Sequence, residues 1–217
     1  MFQKKIRTKI ALIICISLTI NILQAQSRFK GGIVGGFNAA QLNGDASAGY
    51  NKVGLNAGIR GLIELGGRLE LSTEILYSQR GSRTTEREAV ITRSCTLNYL
   101  EVPVLLNIRD WLRKPKNEGD AYYKAAFSIG LAYGRLFKVT SNIPFTHAAL
   151  LDKFNQTDVS FMMGLNYFIN AHWSVDCRYA TSINKLFNPK KYPTEPLAAN
   201  SLPLRGHYLS FQTAWIF

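Results

Sequence analysis

The sequence lacks several features that would place it in common protein classes. After residue 25 it has no apolar run that approaches the roughly 20 residues needed for a membrane-spanning helix, and the mean hydropathy is only −0.04. It has three cysteines, Cys15, Cys95 and Cys177, which are too few for a disulfide framework. Acidic residues are scarce, at 14 against 26 Lys and Arg. These absences exclude a helical membrane protein and a small disulfide-stabilised scaffold.

The N-terminus has the pattern of a secretory signal peptide. Lys4, Lys5, Arg7 and Lys9 precede an apolar run over residues 10–22, and Ala25 follows at a position suited to cleavage. The run has only about 13 residues, which is short for a spanning helix. We therefore predict a cleaved signal peptide over 1–25 and a single mature domain over 26–217.

The charge of the mature chain restricts its partners. Cleavage removes four basic residues and no acidic ones, which leaves 22 Lys and Arg against 14 Asp and Glu. A basic chain is commonly associated with nucleic acid, but an exported protein rarely meets it. We expect anionic lipid headgroups or lipopolysaccharide phosphates as partners, and no nucleic acid.

Alternation of apolar and small or polar residues is the main structural signal in the mature chain. In 159–169 the odd positions, from Val159 to Ile169, are apolar, and the next segment, 173–184, repeats the pattern. A period of two indicates a strand with two different faces. The other predicted strands are 29–40, 52–65, 67–80, 96–109, 121–136 and 207–217, and the total of eight predicts an all-β domain.

Connection lengths separate a soluble sandwich from a membrane barrel. The connections at 66–67 and 170–171 are very short, whereas those at 41–51, 81–95, 137–156 and 187–206 are long. Short turns at one end and long loops at the other are typical of outer-membrane barrels. The link at 110–120 is longer than the other periplasmic links. The pattern predicts an eight-stranded antiparallel up-and-down transmembrane β-barrel.

The C-terminal strand has the pattern of an assembly signal. Residues 207–217 alternate, and the chain ends on Trp215, Ile216 and Phe217. Aromatic residues also collect near other predicted strand ends, as in the girdles of membrane barrels. We predict that Trp215 and Phe217 are read by the barrel-assembly machinery in the outer membrane of a Gram-negative bacterium.

The chain resembles the PorT-like outer-membrane β-barrel family of the Bacteroidetes over nearly the whole mature sequence. The resemblance is carried by residues 31–38, 54–59, 70–81 and 99–106, and the pattern Leu-Glu-Val-Pro-Val-Leu at 100–105 is its more specific part. It implies a barrel of OmpA/OmpX-like size and a context of type IX secretion.

Strand parity predicts a charged lumen. Eight strands enclose a space that side chains nearly fill, and an unpaired charge there would be costly. We therefore expect a structural network of paired charges, with a gated or proton-conducting path as the alternative. Pro103, which cannot donate to the ladder, is expected to mark a bulge or kink. The charges assigned to the lumen are Arg60, Glu64, Arg68, Glu70, Glu74, Glu101, Arg109, Lys124, Asp176 and Arg178; those chosen for the network are Arg60, Glu70, Glu74, Glu101, Asp176 and Arg178.

The long loops mix apolar and basic residues, which suits contact with a protein or with lipopolysaccharide. Loops that simply fold over the barrel mouth are the alternative. Catalysis has less support, because only His147 and His207 lie on the predicted outer side and no hydroxyl or acid is fixed near them. No metal-ligand spacing or cofactor motif is present. The predicted contact surface consists of Phe145, His147, Phe154, Lys190, Lys191 and Tyr192.

The sequence therefore predicts a non-enzymatic outer-membrane barrel without a cofactor or metal. The resemblance implies an accessory or docking component for secretion or surface-protein assembly, with secretion-system or surface proteins as partners. A structural or adhesive barrel that binds an external ligand through its loops is one alternative. A lipid-modifying outer-membrane enzyme is the second.

Overall fold

The computed structural model describes residues 28–44, 49–84, 94–114, 121–142, 153–191 and 202–217. The predicted signal peptide lies outside these residues. No helix among them is long and apolar enough to cross a membrane. The strands are β1 (Phe29–Asn43), β2 (Lys52–Gly66), β3 (Leu69–Arg83), β4 (Ser94–Arg113), β5 (Tyr122–Ser141), β6 (Thr157–Phe168), β7 (Trp173–Ser182) and β8 (Arg205–Ile216).

The eight strands form a closed antiparallel barrel in sequence order. Each strand pairs with its neighbour in the chain, and β1 pairs with β8 from Gly32 opposite Ile216 to Asn43 opposite Arg205. Closure leaves none of these eight strands with an unpaired edge. The predicted fold class is therefore confirmed.

The strands differ from the prediction mainly at their ends. β4 and β5 each have 20 residues, so β4 continues to Arg113 and β5 to Ser141, where alternation alone had ended them at 109 and 136. Cys95, which we expected in a loop, is the second residue of β4 and is buried. Neither Cys95 nor the exposed Cys177 forms a disulfide bond.

The wall of the barrel has an apolar outer face and a mostly polar inner face. Leu55, Ile59, Leu131 and Leu165 are all more than half exposed on the outside. The intervening residues, among them Ser128, are buried. An apolar exterior around a polar interior is the inverse of a soluble sandwich and is the pattern of a transmembrane barrel.

Three apolar clusters interrupt the polar lumen. In an outer-membrane barrel the short turns face the periplasm and the long connections face outward, which gives each cluster a height. The cluster nearest the periplasm consists of Val34, Leu62, Leu76, Ala214 and Ile216; the middle one of Ala40, Leu105, Ala132, Met162, Ala180 and Tyr208; and the one at the extracellular mouth of Leu42, Cys95, Leu97, Tyr99, Leu136 and Leu186.

Pro103 does not produce the expected bulge. Pairing of β3 with β4 omits residues 74–75 and 102–103, but the register is the same on both sides of the gap. On its other side Pro103 pairs in register with Ala132. The backbone N–H that Pro103 lacks therefore interrupts the β3–β4 ladder without shifting its register. Register shifts occur elsewhere, in β2 between Glu64 and Gly66 and in β4 between Asn98 and Tyr99.

Candidate functional site

The lumen holds all six residues that were chosen for the charge network. Each is at most 5% exposed, and together they come from four strands, β2, β3, β4 and β7. Their side chains form three groups stacked along the barrel axis. These residues are Arg60, Glu70, Glu74, Glu101, Asp176 and Arg178.

The central group joins opposite walls of the barrel. Arg178 donates two hydrogen bonds to the carboxylate of Glu74, both at 2.9 Å. Arg60 donates through Nε to Glu74 at 2.6 Å and through a second nitrogen to Asp176. Two guanidinium groups and two carboxylates therefore share one buried cluster whose formal charges cancel.

A second group lies nearer the extracellular mouth and includes two charges that the sequence analysis missed. Arg80 contacts Glu101 at 2.5 Å and Asp158 at 2.7 Å. Its guanidinium lies 4.7 Å from the ring centre of Tyr99 and 4.3 Å from that of Tyr208, which also donates to Glu101 at 2.6 Å. Stacking on two rings adds cation–π attraction to the ion pairs.

The third group lies toward the periplasmic end. Arg109 contacts Glu70 at 3.4 Å and Glu64 at 3.1 Å, and Lys30 contacts Glu64 at 3.0 Å from a more exposed position. Asn107 donates to Glu70 at 2.9 Å. Exposure increases outward from Glu70 to Lys30, so this group ends at the periplasmic rim.

Two residues that parity assigned to the lumen lie elsewhere. Arg68 falls in the turn between β2 and β3, where its side chain is 67% exposed and contacts Asp110 at 3.0 Å. The ammonium of Lys124 lies over the rings of Trp111 and Tyr167, at 4.6 and 5.3 Å from their centres. Parity fails at these rim positions because a turn or a long flexible side chain can redirect the charged end.

The paired charges and the apolar clusters together fill much of the described lumen. The buried guanidinium groups each contact at least one carboxylate, which offsets the cost of removing them from water, and apolar clusters fill the levels between the charged groups. A cavity bordered by Leu42, Arg80 and Tyr208 has a volume of only about 10 Å³, room for about one water molecule.

The extracellular mouth contains part of the predicted contact surface. Phe154 packs against Phe187, with ring centres 6.1 Å apart, and both contribute to the apolar closure of the mouth. Lys190 and Lys191 are exposed on a 3-10 helix, Pro189–Lys191. Phe145, His147 and Tyr192 lie outside the described residues.

Beside this closure is a surface pocket that the sequence analysis did not find. Its volume is about 330 Å³, and it lies where β5, β6 and the segment after β7 meet. Among the described residues that line it, Arg135, Lys153, Lys185 and Lys191 are basic and none is acidic. Loop sequence alone could not bring these residues together, because they come from three separate segments.

Of the two histidines considered for catalysis, His207 is described by the structure and His147 lies outside the described residues. His207 and Ser210, both on β8, point to opposite faces, because His207 packs against Tyr50 while Ser210 accepts a hydrogen bond from Asn56 inside the lumen. The distance from Asn56 Nδ2 to the Ser210 hydroxyl is 2.8 Å. Within the described part of the chain, no three His, Cys, Asp or Glu residues are placed to hold a metal ion.

The residues of the predicted assembly signal lie at the periplasmic end. Trp215 faces outward and packs edge-on against Trp173 and face-on against His172, with ring centres 5.4 and 5.6 Å apart. Phe217 is exposed, and its backbone N–H donates to the carbonyl of Gly31. These rings form part of an aromatic girdle at the membrane surface; recognition by the assembly machinery remains a prediction.

Comparison with known proteins identifies the family of this barrel. Residues 24–188 match the family described as outer membrane protein beta-barrel domain, and the chain belongs to it. It is therefore a protein of the outer membrane, as predicted. No curated protein matches the chain.

Several solved structures of outer-membrane barrels are similar to this one. The attachment invasion locus protein Ail of Yersinia pestis is 14% identical, with 88% of this chain and 99% of that one covered and a TM-score of 0.45. Neisserial surface protein A is 10% identical, with coverage of 86% and 96% and a TM-score of 0.40. Outer membrane protein W of E. coli is 12% identical, with coverage of 88% and 98% and a TM-score of 0.36.

Proposed function

We propose that this barrel is a non-conducting, non-enzymatic docking element that presents a binding surface at the extracellular mouth. The observation that carries the proposal is the contrast between its two accessible regions. The lumen is filled by paired charges and apolar clusters, whereas the outer rim has a pocket of about 330 Å³ next to exposed Lys190 and Lys191. Function is therefore assigned to the rim and stability to the lumen.

Planar-bilayer recording tests the non-conducting half of the proposal. Purified barrel is expected to give no steady current, because the Arg178–Glu74 and Arg80–Asp158 contacts join non-adjacent strands across the lumen. Glu101→Gln should leave that silence unchanged. A steady, ion-selective current that changes with Glu101→Gln would make the protein a channel and refute the proposal.

Site-specific photo-crosslinking in intact cells tests the docking half. A crosslinking amino acid at Lys190 or at Phe154 should capture one discrete partner, and the same label at Arg113, on the periplasmic side, should not capture it. Purified partner should then bind the wild-type barrel and lose affinity for Lys190→Glu. Capture of the same band from both sides, or no band from the outer positions, would contradict docking at the mouth.

A role as a secretion accessory, implied by the resemblance to the PorT-like family, is the second candidate. The residues that carry the resemblance in β4 include Tyr99, Glu101 and Leu105, whose side chains are buried; they account for packing in the lumen and leave the function open. The observation that favours a periplasmic role is the extension of β4 beyond Ile108, the last residue of β4 paired with β3. Trp111 and Leu112 are exposed there, at 58% and 49%.

The two candidates predict binding at opposite ends of the barrel. A secretion accessory should yield crosslinks from Leu112 to periplasmic or membrane-embedded secretion proteins, and its deletion should reduce export of surface proteins. A docking barrel should yield crosslinks from Lys190 while export continues normally. Crosslinks from Leu112 together with lost export would replace the first proposal by the second.

A further inference from the structure

We infer that the basic pocket at the extracellular rim binds phosphate groups on the headgroup of an outer-leaflet glycolipid. By the basic pocket we mean the cavity bounded by Arg135, Lys153, Lys185 and Lys191. The inference rests on the proposed function, in that it assigns a ligand chemistry to the rim on which docking was proposed. It concerns a site separate from the charges of the lumen.

The four basic residues converge from segments that are far apart in the sequence. Arg135 belongs to β5, Lys153 precedes β6, and Lys185 and Lys191 follow β7. Arg135 donates to the side-chain carbonyl of Gln156 at 2.6 Å, a neutral partner that orients the guanidinium without cancelling its charge. The lining therefore concentrates positive charge at one side of the mouth.

The height of the pocket matches the headgroup layer of the outer leaflet. Arg135 lies opposite Thr157 in the β5–β6 ladder, at the extracellular end of that pairing. On the same outward face of β5, Tyr133 and Phe137 are exposed, at 48% and 59%. Aromatic residues of membrane barrels collect at the interface between lipid tails and headgroups. Arg135, which lies between Tyr133 and Phe137 on this face, therefore faces the headgroups.

The chemistry of the lining favours phosphate over a carboxylate peptide or a neutral sugar. Guanidinium groups bind phosphate oxygens in bidentate geometry, and lysines add flexible point charges around the same group. A volume of about 330 Å³ is in the range of pockets that hold small ligands. It can hold a phosphorylated sugar headgroup while the acyl chains remain in the bilayer along β5.

Native mass spectrometry of the full chain in phosphatidylcholine nanodiscs tests the site with lipid A as the probe. The wild type should retain bisphosphorylated lipid A in preference to dephosphorylated lipid A. The variant K153Q/K185Q/K191Q should weaken retention by about tenfold or more, since each exposed charge contact contributes a modest amount and three are removed. The matched control R28Q/R113Q/K114Q loses the same charge at the periplasmic rim and should stay within about twofold of the wild type.

A second measurement separates a lipid source from a soluble one. Calorimetric titration of the same nanodiscs, without lipid A, with inositol hexakisphosphate reports whether a free polyphosphate suffices. If the three lysines are needed to retain lipid A and inositol hexakisphosphate does not bind, the site is assigned to a membrane lipid. If both probes bind and both depend on the lysines, the site binds phosphate and also accepts soluble ligands. Binding of the soluble probe alone would overturn the glycolipid assignment.

The inference would be overturned if the two triple variants lost lipid A retention equally. It would also be overturned if the wild type showed no preference for phosphorylated over dephosphorylated lipid A. Heat-dependent gel migration verifies that each variant is folded before it is compared. The photo-crosslinks from Lys190 are scored independently of lipid A, so a docking barrel without a phosphate site remains distinguishable from failure of the docking proposal.

Discussion

The bidentate contact between Arg178 and Glu74 is expected to show strong energetic coupling. The central cluster contains two arginines and two carboxylates, with side chains at most 3% exposed. Glu74→Gln leaves a net positive charge in the cluster, and Arg178→Met leaves a net negative one. The double change restores neutrality, because Arg60 and Asp176 still pair. Neutrality, rather than the number of contacts, should therefore govern stability.

The magnitude follows from the cost of an uncompensated buried charge. Breaking a buried pair by removing one partner typically costs about 3 to 5 kcal/mol. Each single change should therefore lower the free energy of unfolding by about 3 kcal/mol, the lower figure because Arg60 or Asp176 still provides part of the compensation. The double variant should lose about 2 to 3 kcal/mol less than the sum of the single losses.

Equilibrium urea unfolding in lipid vesicles, followed by tryptophan fluorescence, measures all four proteins of the cycle. A second cycle with Glu101→Gln and Arg178→Met is the control, since Glu101 contacts Arg80 and Tyr208 instead. Its coupling should stay below about 0.5 kcal/mol. A Glu74–Arg178 coupling below that value, or one no larger than the control, would refute the assignment of the central cluster.

Three further outcomes are expected. The folded barrel should migrate differently on gels with and without heating, because a closed barrel resists unfolding; identical migration would contradict closure. Ile59→Arg, at the middle of β2 on the outer face, should lower the free energy of unfolding in vesicles by about 2 to 4 kcal/mol. Val175→Arg, two residues from Trp173 at the interface, should lower it by only about 0 to 1 kcal/mol. Equal losses would show that the assigned depths are wrong. Gly164→Ala should destabilise the barrel, because the added carbon would lie 2.6 Å from Cγ of Arg178, and melting temperatures equal to wild type would exclude that contact.

Strand number and facing could be predicted because both depend on local alternation. A period of two assigns alternate residues to opposite faces, and it placed Glu74, Glu101 and Arg178 in the lumen. Asp158 directly precedes residue 159, where the sixth strand was predicted to begin. Extending the alternation by one residue would have placed Asp158 in the lumen as well. Arg80 ends the predicted third strand on its inward face, so parity alone would also have assigned it to the lumen.

Partners across the lumen could not be predicted in the same way. Parity gives the direction of a side chain, but the height at which it meets another strand depends on register and on the tilt of the closed sheet. Thus Glu101 and Arg178 were assigned to one network and instead belong to different groups, with Arg80 and with Glu74. The basic pocket depends even more on closure, since Arg135 and Lys185 come together only through the order of strands around the barrel.

The pairing of β1 with β8 has a consequence for how the protein is made. Gly32 lies opposite Ile216, so the first strand must wait for the last residues of the chain before its outer edge is satisfied. The Arg60–Asp176 contact likewise joins residues 116 positions apart. Contacts so distant in sequence fold slowly, because the loop must close before the contact stabilises it. The chain therefore has to be kept unpaired during export until its final strand has arrived, and a protein truncated within β8 would expose two open edges to aggregation in the periplasm.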